Sequence, residues 1–137
     1  MKRKLSKDQY ELLGAFRYAL RRFLHFSETA AHATGVTPQH HQALLAIKGF
    51  PGRDRITMGE LAERLQIRHH SAVGLVDRLV ADKLVRRESA SNDRRQVYIR
   101  LTRRGESVLE RLSELHHTQV RTLGPELRRM LARLGKV

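Results

Sequence analysis

Arginine carries most of the chemistry this chain can offer. Seven arginines, at 86, 87, 94, 95, 100, 103 and 104, stand between Arg86 and Arg104 against only Glu88 and Asp93. Guanidinium groups at that density suit a polyanion, because each presents a rigid fork of donors to a phosphate or a base edge. The whole chain repeats the bias: 27 Lys and Arg against 14 Asp and Glu give a formal net charge of +13 over 137 residues. Such an excess attracts polyanions at long range. Nucleic acid is the first candidate, ahead of an acidic membrane surface or an acidic protein. Charge alone serves non-specific binding equally well.

A second group lies upstream. Arg68, His69, His70, Ser71, Ala72, Gly74 and Arg78 are spaced to face outward from a helix whose apolar positions are Val73, Val76, Leu79 and Val80. A helix that packs by one face and presents such a set on the other can enter a major groove. Arg can fork onto guanine, Ser and His can reach a base edge or a phosphate, and Ala72 could touch a thymine methyl. Gly74 costs about 1 kcal/mol inside a helix. Either close approach of the backbone to DNA or tight helix packing would account for it. At the hairpin tip, Arg94 or Arg95 is shaped for a narrow, electronegative minor groove. The other would hold the turn, with an Asp93–Arg95 pair as one way of doing so, and the sequence does not assign the two roles.

Other chemistry is thin. Eight histidines (His25, His32, His40, His41, His69, His70, His116 and His117) raise the question of a metal, and Glu28 with His32 is spaced i, i+4. Three of the pairs are adjacent residues that point to different helix faces, and no HExxH spacing exists, so no metal or other cofactor is expected. Without cysteine there is no disulfide, thiolate site or cysteine redox sensor. No Gly-rich phosphate loop or Ser–His–acid grouping is present, so the chain is not expected to be an enzyme. No apolar run nears the roughly 18 residues of a membrane span, and Met1-Lys2-Arg3-Lys4 is not followed by an apolar leader. A cytoplasmic, nucleoid-associated protein with no membrane partner is expected.

The elements that position these residues follow from periodicity. Leu12, Phe16, Ala19, Phe23 and Ala30 mark one face of a helix over about 7–33, widened by Leu13, Leu20 and Leu24 and stopped at Gly35. Thr37-Pro38 caps a second helix carrying Ala43, Leu44 and Ile47, ending at Gly49. Thr57-Met58-Gly59-Glu60 is a capping box that opens a short third helix with Leu61, Ala62 and Leu65 inward. Only Gln66-Ile67-Arg68 separates it from a fourth over about 69–82, which makes a helix-turn-helix unit. The period then becomes two: Val97, Ile99 and Leu101 form a strand, paired with Val85-Arg86-Arg87. Thr102 opens a helix over about 103–121 with Leu109, Leu112 and Leu115. Gly124-Pro125 is expected to break it, leaving a sixth helix with Leu127, Met130, Leu131 and Leu134.

The block TMGELAERLQIRHHSAVGLVDRLVADKLVRRESASNDRRQVYIRLTRRG resembles the DNA-binding core of the MarR family of bacterial regulators. Its most specific piece is NDRRQVYIRLT, where Asp93 and Arg95 stand two apart, an alternating strand follows, and Leu101-Thr102 leads into a helix. The resemblance implies a mainly α winged helix-turn-helix fold with a small antiparallel β-hairpin. It also implies a homodimer built from the N- and C-terminal helices, and a pseudo-palindromic operator from which a ligand often releases the protein. On that plan residues 1–137 form one chain, with 7–35 and 103–137 for dimerisation and 37–102 for DNA.

Independently of family, one reading unit covers too few base pairs for genomic specificity, and a two-fold protein matches two half-sites. Leu5, Leu12, Leu127, Met130, Leu131 and Leu134 are the interface candidates, against the simpler possibility that they cap the monomer core. The expected function is transcriptional regulation, as a repressor, on double-stranded DNA. The site set is Arg68, His69, His70, Ser71, Ala72, Gly74, Arg78, Arg86, Arg87, Arg94 and Arg95. Arg17, Arg21, His25 and His41 are candidates to line a crevice for a small amphipathic or anionic effector. The alternative is a non-specific, nucleoid-type architectural protein using the same basic surface.

Overall fold

In the computed structural model, which describes residues 2–90 and 93–135, the chain forms five helices and three strands among the described residues. The order is α1 (Lys7–Ala33), α2 (Pro38–Lys48), β1 (Arg55–Thr57), α3 (Met58–Leu65), α4 (His69–Ala81), β2 (Val85–Ala90), β3 (Asp93–Leu101) and α5 (Arg103–Leu134). The strands make one antiparallel sheet in the order β1-β3-β2. The helix-turn-helix is thus α3–α4, and the basic ribbon is β2–β3.

Local chemistry explains each boundary. Ser6 opens α1 in a reciprocal cap: its backbone N–H donates to Gln9 Oε1 at 2.8 Å, and Gln9 N–H donates to Ser6 Oγ at 3.3 Å. The helix ends where Gly35 takes φ +79°. There Gly35 N–H donates to His32 O and Val36 N–H to Ala31 O, satisfying carbonyls that the last turn would otherwise leave orphaned. Thr37 accepts from His40 N–H to cap α2. At α3 both halves of the Thr57–Glu60 capping box are made. The tight turn into α4 needs no glycine because Gln66 itself adopts φ 54°, with its side-chain amide donating to Glu63 O at 2.7 Å.

Two expectations fail. Gly124-Pro125 does not end a helix: α5 runs on to Leu134 with Pro125 inside it, so five helices replace the expected six. Proline removes one backbone donor and crowds the preceding turn. Yet Val120 and Leu123 before the break and Leu127 after it line one cavity with Leu20 and Phe23 of α1. The apolar stripe thus continues in helical phase across the proline, with Leu123 buried and Val120 and Leu20 exposed. The second miss is β1. Three residues are too few to display alternation, but Ile56 is fully buried opposite Ile99.

Two compact units emerge. One comprises the chain up to Ala30 together with the chain from Ser113 onward; Leu12, Ala19 and Leu123 are buried there. In it His116 shares a hydrogen bond with Ser27 Oγ at 2.8 Å and meets the rings of Phe23 and Phe26 edge-on. The other unit spans Ala31–Leu112 and contains the helix-turn-helix and the sheet. Its centre is Leu44, Ile47, Ile56, Leu61, Leu75, Val76, Leu79 and Ile99, all without solvent exposure.

Candidate nucleic-acid interface

The helix α4 is held by its buried face and open on the other. Ala72, Leu75, Val76 and Leu79 are completely buried, while Arg68, His69, His70, Ser71 and Arg78 are exposed. Ala72 corrects the sequence reading. It was expected among the outward set, but it belongs to the core, one step out of phase with Val73, which is only half-buried. Leu75, which the periodicity passed over, supplies the missing packed position. Ala72 is therefore not available to a thymine methyl. Gly74 is half-buried, and a Cβ placed there would meet only the end of the Arg78 side chain at 3.6 Å. Tight packing within the chain does not account for it.

The C-terminal end of α4 is clasped to the start of α5. Lys83 takes φ 61°, Thr102 Oγ1 donates to Lys83 O at 2.6 Å, and Thr102 N–H donates to Leu84 O. Gly105 fits because it has no side chain: a Cβ would stand 2.0 Å from Leu84 O. The helix and the ribbon that follows it are thus set by one crowded turn.

The ribbon carries its arginines in distinct states. Arg86 and Arg87 are both exposed, and Arg87 is ion-paired to Asp77 of α4, a strut between ribbon and helix. The expectations for Arg94, Arg95 and an Asp93–Arg95 pair concern side chains outside the described residues. On the sheet face opposite Ile99, Arg100 donates to Glu88 Oε2 at 2.8 Å, and Arg55 stands 3.6 Å from the same carboxylate. The Arg100 hydrogen bond, with the charges of Arg100, Arg55 and Arg86, holds the Glu88 carboxyl below the usual carboxylate range despite opposing desolvation.

Sequence reading missed a stack beside it. The guanidinium of Arg55 lies 4.1 Å from the Tyr98 ring centre. That of Arg53 lies 4.4 Å from Phe50 and 5.4 Å from Tyr98, and Arg64 lies 5.0 Å from Phe50. Arg53 is also ion-paired with Glu60. Alternating cations and rings so tie α3 to the middle of the ribbon. The signal was the placement of Phe50 and Tyr98, two of only seven Phe and Tyr residues, among arginines.

The remaining candidates divide. Arg21 and His25 line one shallow cavity of about 710 Å³ with Tyr18, Arg22, Phe26 and Gln119. Arg17 is not among its walls, and His41 is buried in α2, in the other unit. Leu12 is buried and serves its own unit's core, whereas Leu5 and Leu131 are exposed and Leu127, Met130 and Leu134 are half-buried. Among the described residues no three His, Asp or Glu side chains gather as a metal site would require. No described helix is long and apolar enough to cross a membrane.

Residues 34–96 match the MarR family model. A comparison with curated protein sequences gives no match. Solved structures are similar over nearly the full length. AbsC, a MarR family transcriptional regulator from Streptomyces coelicolor, shares 24% identity over 98% of this chain and 92% of its own, with a TM-score of 0.77. A cysteine-to-serine mutant of MarR from E. coli, complexed with operator DNA, shares 22% over 98% and 95%, at 0.67. BpsR of Bordetella bronchiseptica, whose DNA binding is regulated by 6-hydroxynicotinic acid, shares 18% over 92% and 96%, also at 0.67. Residues 34–96 thus match the MarR family model, and the chain as a whole carries the fold of the MarR family regulators it resembles.

Proposed function

We propose that this protein is a sequence-specific transcriptional repressor that reads a pseudo-palindromic operator as a homodimer. The observation that carries the reading is α4 itself. Its one face is wholly buried, and Arg68, His69, His70, Ser71 and Arg78 stand free on the other. In this reading those five enter the major groove, with the backbone at Gly74 close to the DNA. Arg86, Arg94 and Arg95 on the β2–β3 ribbon reach the neighbouring minor groove, where a narrow A·T-rich tract attracts guanidinium. Arg87 reaches DNA only by leaving Asp77.

Exposed apolar side chains on the terminal helices, Leu13, Leu20, Leu24, Val120 and Leu131, support a second copy as partner. In this reading the 31–112 unit reads DNA and the terminal helices pair, and the division into two units supports that separation of roles. Release by a small amphipathic or anionic effector is supported by the cavity at Arg21 and His25 and by the likeness to BpsR.

Replacing Arg94 and Arg95 together with Ala tests the ribbon's part. Operator affinity should fall by about tenfold or more, on the scale of losing one or two phosphate or groove contacts. Helicity and association state should stay as in the parent. Undiminished affinity would remove the ribbon from the interface and leave α4 alone.

A further inference from the structure

A cavity of about 410 Å³ lies wholly within the 31–112 unit. Its walls come from the α1–α2 turn, the start of α2, the end of α4 and the first turns of α5. Arg104, Ser107 and Arg111 recur every three or four residues, so all three project from one stripe of α5 into it. Neither arginine has a carboxylate within 4 Å among the described residues, although ion pairs occur elsewhere in the same unit and, across the cavity, Asp82 Oδ2 lies 3.9 Å from His40 Nδ1. Opposite them stand His40, which is buried, and Asp82, the residue that ends α4.

The chemistry of these walls selects a ligand. Two guanidinium groups and a hydroxyl are donors suited to an oxyanion, and the fork geometry favours a planar carboxylate. Asp82 offers only acceptors in its ionised form. Burial favours the neutral form of His40. Two arginines against one aspartate then leave the cavity one positive charge in excess. A dianion such as D-glucarate would overshoot that charge and bring its second carboxylate against Asp82. A neutral molecule would forgo the charge-assisted hydrogen bonds that the two arginines offer. A monoanion whose other end donates hydrogen bonds satisfies both walls, and the predominantly polar lining favours hydroxyls along its length.

We infer that this cavity binds a small polyhydroxy monocarboxylate of the sugar-acid type, its carboxylate on Arg104 and Arg111 and its hydroxyls toward Ser107 and Asp82. The inference does not depend on DNA binding, since the cavity shares no residue with the interface proposed above.

Titration calorimetry on the full chain with D-gluconate tests it, with D-glucose, D-glucarate and inorganic phosphate as comparisons. Gluconate should bind saturably and more tightly than any of the three. Arg111→Gln and Arg104→Gln should each weaken it about tenfold or more, the loss expected for one charge-assisted hydrogen bond. Both side chains are exposed, and a melting curve for each variant checks that the fold persists. Asp82→Asn should shift preference toward glucarate and phosphate by removing the repelling charge. Absence of saturable gluconate binding would overturn the inference. So would binding indifferent to Arg104 and Arg111, or phosphate or glucose held as tightly as gluconate.

Discussion

At the scale of single residues, the sharpest constraint is steric. Gly105 sits where a Cβ would collide with Leu84 O, and both partners belong to the clasp between α4 and α5. Gly105→Ala should therefore cost about 2–4 kcal/mol, read as a lower denaturation midpoint at unchanged slope. His40 provides a pH signature. Desolvation lowers its pKa from 6.5 against the opposing pull of Asp82, with Arg78 lowering it further. The unfolded chain then binds the proton more tightly, so stability is lost as pH falls from about 6.5 toward the folded value. His40→Gln should flatten that part of the stability curve, and an identical slope in the two proteins would contradict the assignment. Exposed arginines and histidines at 68–71 could be read from sequence because composition and helical phase mark a free face. Ala72 could not: a small apolar residue suits a core and a groove alike, and only the phase of Leu75 and Leu79 decides between them.

At the scale of elements, caps were legible and continuity was not. Thr57 and Glu60 fall at the required spacing, and their bonds form as the motif implies. Thr57→Ala should cost about 1 kcal/mol and loosen α3, measurable by denaturation and by amide exchange in its first turn. Glu60→Gln keeps an acceptor for Thr57 N–H and should cost less, losing chiefly the charge interaction with Arg53. In contrast, Gly124-Pro125 is a breaker by every local rule, yet α5 passes through it. Pro125→Ala should raise stability by about 1–3 kcal/mol without changing far-ultraviolet helicity by more than a turn. A marked rise in helicity would show instead that the proline does interrupt α5. The strand β1 was hidden for a different reason. Its pairing is supplied by β3, more than forty residues away, and a three-residue segment carries no period of its own.

At the scale of the molecule, the sequence's family resemblance and the fold agree. Leu131 is 55% exposed on α5, and an unpartnered leucine there makes sense if a second copy covers it. Leu131→Asp should shift sedimentation from dimer to monomer at micromolar concentration while leaving thermal unfolding of the 31–112 unit in place. Specific reading of DNA is the central claim, and the +13 charge makes non-specific binding its natural rival. The measurement that separates them is selection of genomic fragments by the purified protein at about 150 mM salt, followed by titration of affinity against salt. A short palindrome bound roughly a thousandfold more tightly than random DNA is the predicted result. Uniform, steeply salt-dependent binding to every fragment would contradict the account and make this a charge-driven packaging protein.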